Sequence, residues 1–269
     1  MPSSDVARHR AYMPAGTSRI LNSRSLVTAH RRLAELLQPG YTVLDVGCGT
    51  GAITRDIAAE VVPAGFVVGV DITPHLVAQA RRMHPEISNM WFAVADIYHL
   101  PFTKAFYIVT AARVLQWLAA PPQALQAMHA VTCAQGRVVV LDYNHEKIQW
   151  VPAPPASMQQ FYTAFLRWRA GAGMDNAIAD HLVAMFRQAG FVDVRETPQH
   201  EVITRRDPDF ATRLGLWAEV AATRGHQMVA DGLLTETQRA TAEAEYRVWV
   251  QTAAEAQTLY LLTVEGTVP

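Results

Sequence analysis

The run Val43-Leu44-Asp45-Val46-Gly47-Cys48-Gly49-Thr50-Gly51 constrains this chain more than any other stretch. An apolar strand feeds directly into glycines at every second position, and Ala52–Ala59 then reads as a helix. Glycine tolerates positive φ and lets a ligand lie against bare backbone. Gly47, Gly49 and Ala52 also fit the loose dinucleotide pattern G-x-G-x-x-G/A. A tight strand–helix turn without a ligand would use the same glycines, so the residues beyond the turn must decide.

Beyond the turn, strands and helices alternate. Thr42–Val46, Phe66–Val70, Met90–Ala95, Phe106–Ala111 and Arg137–Leu141 read as strands, apolar enough to be buried on both faces. Ala52–Ala59, Pro74–Met83 and Pro122–Val131 read as the helices between them. Such strands in such an order predict a parallel sheet covered on both sides. A helix over Ser25–Leu37 precedes them and stops at Pro39-Gly40. After Tyr143 the rhythm changes. A proline-rich link at 151–155 leads to Met158, Phe161, Tyr162, Phe165 and Trp168 at helical spacing, then a helix at Ala177–Gln188 and a strand at Phe191–Thr197. Helices are expected over Asp209–Thr223 and Glu236–Glu255, the second opened by a Thr235/Gln238 capping box. Thr258–Val264 reads as a seventh strand. The 269 residues thus predict one domain: a core at 40–145, an N-terminal helical segment at 1–38, and helical insertions at about 144–175 and 205–256 forming a cap.

Composition narrows the function. A formal net charge of −1 argues against a protein that blankets nucleic acid. Two distant cysteines, Cys48 and Cys133, exclude a disulfide framework and a cysteine-built zinc site. There is no run of ~18 apolar residues to span a membrane and no signal-peptide h-region near residue 1, so a cytoplasmic setting is expected. Asp71, ending the second strand, is placed to accept both ribose hydroxyls of a nucleotide cofactor. Asp45 lies two residues before the first glycine. A pyrophosphate there would be repelled, whereas the ammonium and sulfonium of S-adenosylmethionine would be attracted. Asp96, after the third strand, can accept an adenine amino group or simply cap a turn; Ile72 and Ile97 offer apolar surface to the ring.

VLDVGCGTG, GVDIT, ADIYHLPF, FYIVTAARVLQWL and GRVVVLDYNH follow the order and spacing of class I S-adenosylmethionine-dependent methyltransferases, which residues 40–145 resemble. The nearest branch is the type 11 group, with ubiquinone/menaquinone C-methyltransferases as relatives. The resemblance implies a Rossmann-like α/β fold. Its seven-stranded, mostly parallel sheet has the order 3-2-1-4-5-7-6, strand 7 antiparallel and helices on both faces. It also implies S-adenosylmethionine as cofactor, S-adenosyl-L-homocysteine as product, and Gly47, Gly49 and Gly51 cradling the methionyl part. In this family the N-terminal helix often closes over the cofactor, which makes Tyr12, Arg19 and Arg24 candidates to face it. The rival readings are an NAD-linked oxidoreductase of similar fold and a non-catalytic binding protein.

The acceptor must be read from the end of the fourth strand. Ala111-Ala112-Arg113 replaces the D/N-P-P-Y/F motif of amino-methylating enzymes on bases. The same alanines remove the first carboxylate of a catechol-type metal site; Asp142 and Asn144 alone make a poor one, so no metal is expected. A small-molecule acceptor is expected, between Arg113, Tyr143, His145 and the cap. Its nucleophile is left open among O, N, C, S and an arsenic-like centre. Arg113 follows an apolar strand, and a buried guanidinium needs an anion or several acceptors. That partner is either the protein, the cofactor carboxylate or the substrate. Tyr143 and His145 follow the fifth strand, at the sheet edge where α/β ligands bind, and are the candidate proton acceptors. Phe161, Tyr162, Phe165 and Trp168 are either core packing or the wall of the acceptor pocket.

Overall fold

The computed structural model describes residues 4–12, 22 and 24–269. In the strands that carry the sheet, neighbouring side chains go to opposite faces, because a strand alternates with period two. Leu44, Val109, Val138 and Val140 join one core, while Val43, Ile108 and Val139 join another on the far face. Both faces are therefore dry.

The strands are β1 (Thr42–Val46), β2 (Phe66–Asp71), β3 (Met90–Val94), β4 (Phe106–Ala112), β5 (Thr132–Tyr143), β6 (Gln149–Val151), β7 (Val192–Pro198), β8 (Glu201–Thr204), β9 (Ala256–Leu259) and β10 (Leu261–Thr267). The main sheet runs β3-β2-β1-β4-β5-β10-β7. Counting only its own seven strands, that is 3-2-1-4-5-7-6, as expected. β10 is antiparallel to both β5 and β7; the other pairings are parallel.

Helix α1 (Ser4–Ala11) packs beside Ala172 and Met174. One face of the sheet is covered by α2 (Leu26–Ala29), α3 (Arg31–Leu36), α4 (Ala52–Glu60) and α5 (Pro74–Met83), through Leu26, Leu33, Ile57, Val77 and Ala80. The other face is covered by α6 (Pro121–Val131) and α8 (Ile178–Gln188), through Leu125, Met128, Leu182 and Phe186. A third core sits beyond the ends of β4 and β5. There α7 (Ala156–Ala170), α9 (Phe210–Leu214), α10 (Leu216–Ala222), α11 (Arg224–Ala230) and α12 (Glu236–Thr252) gather around Phe161, Phe165, Trp217 and Tyr246. No helix among the described residues is long and apolar enough to cross a membrane.

Four local expectations are revised. The helix over 25–37 is two helices, broken where His30 leaves helical geometry (φ −153°, ψ 54°). That break sends the imidazole inward, fully buried, with Nε2 3.0 Å from the Thr110 hydroxyl. The helix over 209–223 divides at Gly215, and α11 follows it without a strong sequence signal. The last strand is two strands with Tyr260 between them. β9 leaves the main sheet to pair antiparallel with β6 and β8, a three-stranded sheet that reading the sequence did not foresee.

Burial, with Arg113 nearby, pushes the His30 imidazole down to about 3. A depressed histidine favours the fold while neutral, and that contribution is lost as pH falls below about 6.5 towards the folded value. Two buried carboxylates act in the opposite direction. Desolvation pushes Asp45 up to about 6 and Asp142 up to about 7, so each disfavours the fold once ionised. The comparison that isolates His30 is with His30→Gln. Between pH 6.5 and pH 5 the native chain should lose about 2 kcal/mol relative to that variant, or about 4–8 °C of relative Tm. Parallel melting curves across this range would show that His30 does not stay neutral.

Candidate active site

The glycine loop owes its shape to backbone that only glycine takes readily. Gly47, Gly49 and Gly51 have φ of 75°, 56° and 79°. The loop is tied to the second strand: Gly47 N and Cys48 N donate to Val70 O at 2.7 and 3.0 Å. A Cβ on Gly47 would run into the Val114 side chain, and one on Gly51 would stand 2.5 Å from Phe92 Cζ.

Asp71 ends β2 beside this loop. Its Oδ2 accepts from Gly49 N (3.0 Å) and its Oδ1 from Thr73 N (2.8 Å). Each carboxylate oxygen can accept more than one hydrogen bond, so both retain capacity for a ligand hydroxyl. Register places Asp71 opposite Val94, so Asp96 comes two residues further along the neighbouring strand end. Asp96 Oδ1 accepts from Tyr98 N (3.0 Å), its Oδ2 lies 3.9 Å from Arg8 of α1, and Ile97 is buried while Ile72 is half-buried. Tyr12, just after α1, meets His75 of α5 through its hydroxyl at 3.2 Å. Arg19 lies outside the described residues. Asp45 is turned inward, 4 % exposed, and accepts from the Thr54 hydroxyl at 2.6 Å, which links β1 to α4 behind the loop.

These residues fit a nucleoside with a short charged tail. The loop turns on three glycines at positive φ, acids stand at two adjacent strand ends, and apolar side chains lie next to each acid.

Beyond the ends of β4 and β5 lies a cavity of about 130 Å³. Trp117, Tyr143, Phe165 and Trp217 form its aromatic walls, and Arg24, Arg113 and Arg224 enter it. Phe165 is thus a wall of the cavity. Phe161 and Trp168 pack in the core, and Tyr162 donates to His145 O at 2.6 Å.

Arg113 stands at φ 62° immediately after β4. Its guanidinium is spent on the protein: Nε donates to the Tyr143 hydroxyl (2.8 Å), Nη1 to Ala29 O (3.1 Å) and Nη2 to Glu201. Glu201 arrives on β8, so the small sheet delivers this counter-charge.

His145 has a defined tautomer. An arginine only donates, so the Gln116 atom accepting from Arg169 Nη1 at 3.2 Å is oxygen. His145 Nε2, 2.6 Å from that oxygen, must then carry the proton. Nδ1 is left as a bare lone pair, buried and with no hydrogen-bond partner among the described residues. Burial and then Arg169 hold the imidazole well below its usual pKa. Such a nitrogen accepts a hydrogen bond well and takes a full proton poorly. Burial also raises the Tyr143 hydroxyl, so it too is held protonated.

Asp142 and Asn144 serve the fold. Asp142 is fully buried and accepts from Gln116 N and Tyr143 N, while Asn144 bonds Asp180 and Glu146 N. Gln116, Arg169, Trp217, Glu201 and Arg224 were not singled out from sequence. Arg169 did leave a trace, an arginine on the buried stripe of α7 four residues after Phe165. Fully buried, it stacks 4.7 Å from the Trp117 ring centre and bonds Asn176 as well as Gln116.

The fold and loop define a class that comparison makes explicit. Residues 37–189, more than half of the chain, match the family model described as a methyltransferase domain. The chain belongs to that family. It is 28% identical over 180 residues to the 2-phytyl-1,4-naphtoquinone methyltransferase of Thermosynechococcus vestitus, covering 60% of this chain and 77% of that one. It is 32% identical over 168 residues to the arsenite methyltransferase of Halobacterium salinarum, covering 61% of this chain and 41% of the relative. A Haemonchus contortus phosphoethanolamine N-methyltransferase, solved with S-adenosylhomocysteine, superposes with a TM-score of 0.56 at 17% identity, over 89% of this chain and 52% of that one. This chain therefore spans only about half or less of two of these proteins, and the structural likeness speaks for the fold alone. Quinone-methylating relatives bear out the branch expected from the motifs.

Proposed function

We propose that this chain transfers a methyl group from S-adenosylmethionine to a small-molecule acceptor, leaving S-adenosylhomocysteine. When bound, the cofactor supplies a methyl group already activated on a sulfonium, so the protein mainly positions the two reactants. In this reading the backbone of Gly47, Gly49 and Gly51 receives the methionyl part, and Asp71 holds the ribose hydroxyls. Asp96, Ile97 and Ile72 hold the adenine, and Tyr12 on the N-terminal segment covers it. Asp45 acts from behind, fixing the loop through Thr54. Residues 144–175 and 205–256 act as the cap over the acceptor. The glycine loop tied to Asp71, with an aromatic-walled cavity beyond the ends of β4 and β5, is the observation that carries this reading.

His145 then orients a hydroxyl or amine of the acceptor other than the nucleophile, accepting its hydrogen bond at Nδ1 without removing the proton. Burial and then the neighbouring Arg169 favour the neutral ring. Arg113 holds Tyr143 and the β8 edge in place. The reaction therefore suits a nucleophile that enters as an anion or needs no base.

Calorimetric titration with S-adenosylhomocysteine and with NAD tests the cofactor. S-adenosylhomocysteine should bind, and Asp71→Ala should weaken it at least about tenfold, since a hydrogen bond to a charged group contributes roughly 1.5–3 kcal/mol. NAD binding in preference would return the chain to the oxidoreductases. An unchanged Kd in Asp71→Ala would take Asp71 out of the site.

A further inference from the structure

The cavity holds more positive charge than its own carboxylates answer. Three guanidiniums enter it, from Arg24, Arg113 and Arg224. Glu201 bonds Arg113. Asp142, buried beneath, is taken up by two backbone amides. Arg224 stacks 3.9 Å from the Trp117 ring centre and donates to Arg10 O. Arg24 makes no hydrogen bond or ion pair among the described residues. Arginine does not shed its proton in proteins, so a desolvated guanidinium with another beside it calls for an anion. Burial and then Arg113 work against the Arg24 charge, and Tyr143, Glu201 and Asp142 offset them only in part.

Arg24 is also held in place. It directly precedes the Ser25 cap of α2, where Ser25 Oγ accepts from Thr28 N at 3.3 Å. The next residue, Leu26, is buried and donates its N–H to Asp56 at 2.9 Å. The rest of the cavity is mainly apolar, walled by Trp117, Tyr143, Phe165 and Trp217, with Gln116, His145 and Thr223 adding polar groups.

We propose that the methyl acceptor carries a carboxylate on an apolar body, and that Arg24 takes the carboxylate while the aromatic walls take the body. A guanidinium with no hydrogen bond or ion pair among the described residues, set against aromatic walls, matches a carboxylate on an apolar body. The proposal rests on the methyltransferase reading for the word acceptor; the binding preference does not.

The test is calorimetric titration of the full chain with 1-naphthoate and with its neutral counterpart 1-naphthamide, each with and without S-adenosylhomocysteine. Naphthoate should bind at least about tenfold tighter, the usual scale for a charge-assisted hydrogen bond. Arg24→Gln should bring the two probes within about twofold of each other while leaving S-adenosylhomocysteine affinity unchanged. Arg24→Lys, which keeps the charge but not the planar fork, should retain an intermediate preference and serves if the glutamine variant unfolds. Equal binding of the two probes, no binding of naphthoate, or an undiminished preference in both variants would overturn the proposal. So would a loss of S-adenosylhomocysteine affinity with the probe preference intact, because Arg24 would then serve the cofactor carboxylate. If S-adenosylhomocysteine fails to bind the native chain, the methyltransferase reading falls, and the cofactor-free titrations still judge Arg24.

Discussion

Arg113→Ala should lower the melting temperature by about 6–12 °C, with turnover falling in proportion. The side chain is 4 % exposed and joins three elements: Ala29 at the end of α2, Tyr143 at the end of β5, and Glu201 on β8. Breaking a buried ion pair by removing one partner costs about 3–5 kcal/mol. Glu201 is 22 % exposed and can regain water, so the lower end, about 3 kcal/mol, applies. At about 2–4 °C per kcal/mol for a chain of this size, that range of melting shifts results. Arg113→Lys keeps the charge but not three directed hydrogen bonds, and should fall between. Thermal unfolding followed by circular dichroism reads this directly. A normal melting temperature with turnover abolished would place Arg113 against the reactants instead.

Gly51→Ala should be nearly as damaging, for a different reason. The residue sits at φ 79°, and the added Cβ would lie 2.5 Å from Phe92 Cζ and 3.3 Å from His84 Cδ2. Left-handed backbone costs a residue with a Cβ roughly 1–2 kcal/mol, and overpacking a filled site costs about 1–3 kcal/mol more. The sum, about 2–5 kcal/mol, should appear as lost stability and as weaker S-adenosylhomocysteine binding, because the loop itself must shift. Gly40→Ala is the control. Gly40 has φ 87° but nothing within 4 Å of its added Cβ, so only the backbone cost remains. Equal effects at both positions would mean that contact with Phe92 contributes nothing.

Some of this protein was determined by the sequence alone, because the signals were local. The β1 boundaries and the α5 boundaries come from apolar runs and a helix-opening proline, each legible within ten residues. The glycine loop and Asp71 are likewise features of one strand–turn–helix unit and its neighbour. The seven-strand order follows once that unit is matched to its family. The Thr235/Gln238 capping box formed as read, since both its hydrogen bonds are made within four residues.

Tertiary structure decided what lies across the chain. Arg113 needed a counter-charge, which sequence could not place because Glu201 is 88 positions away on a strand of four residues. The three-stranded sheet that carries it was hidden for the same reason: each strand is too short for period-two alternation to stand out, and pairing supplies its stability. His30 breaks its helix because its ring is buried against Thr110, eighty positions on. The tautomer of His145 is set by Gln116 and Arg169, from two other elements. Local periodicity fixes which face of an element is buried. Which charged side chains meet inside the cap depends on packing between distant segments, and no window of sequence contains that information.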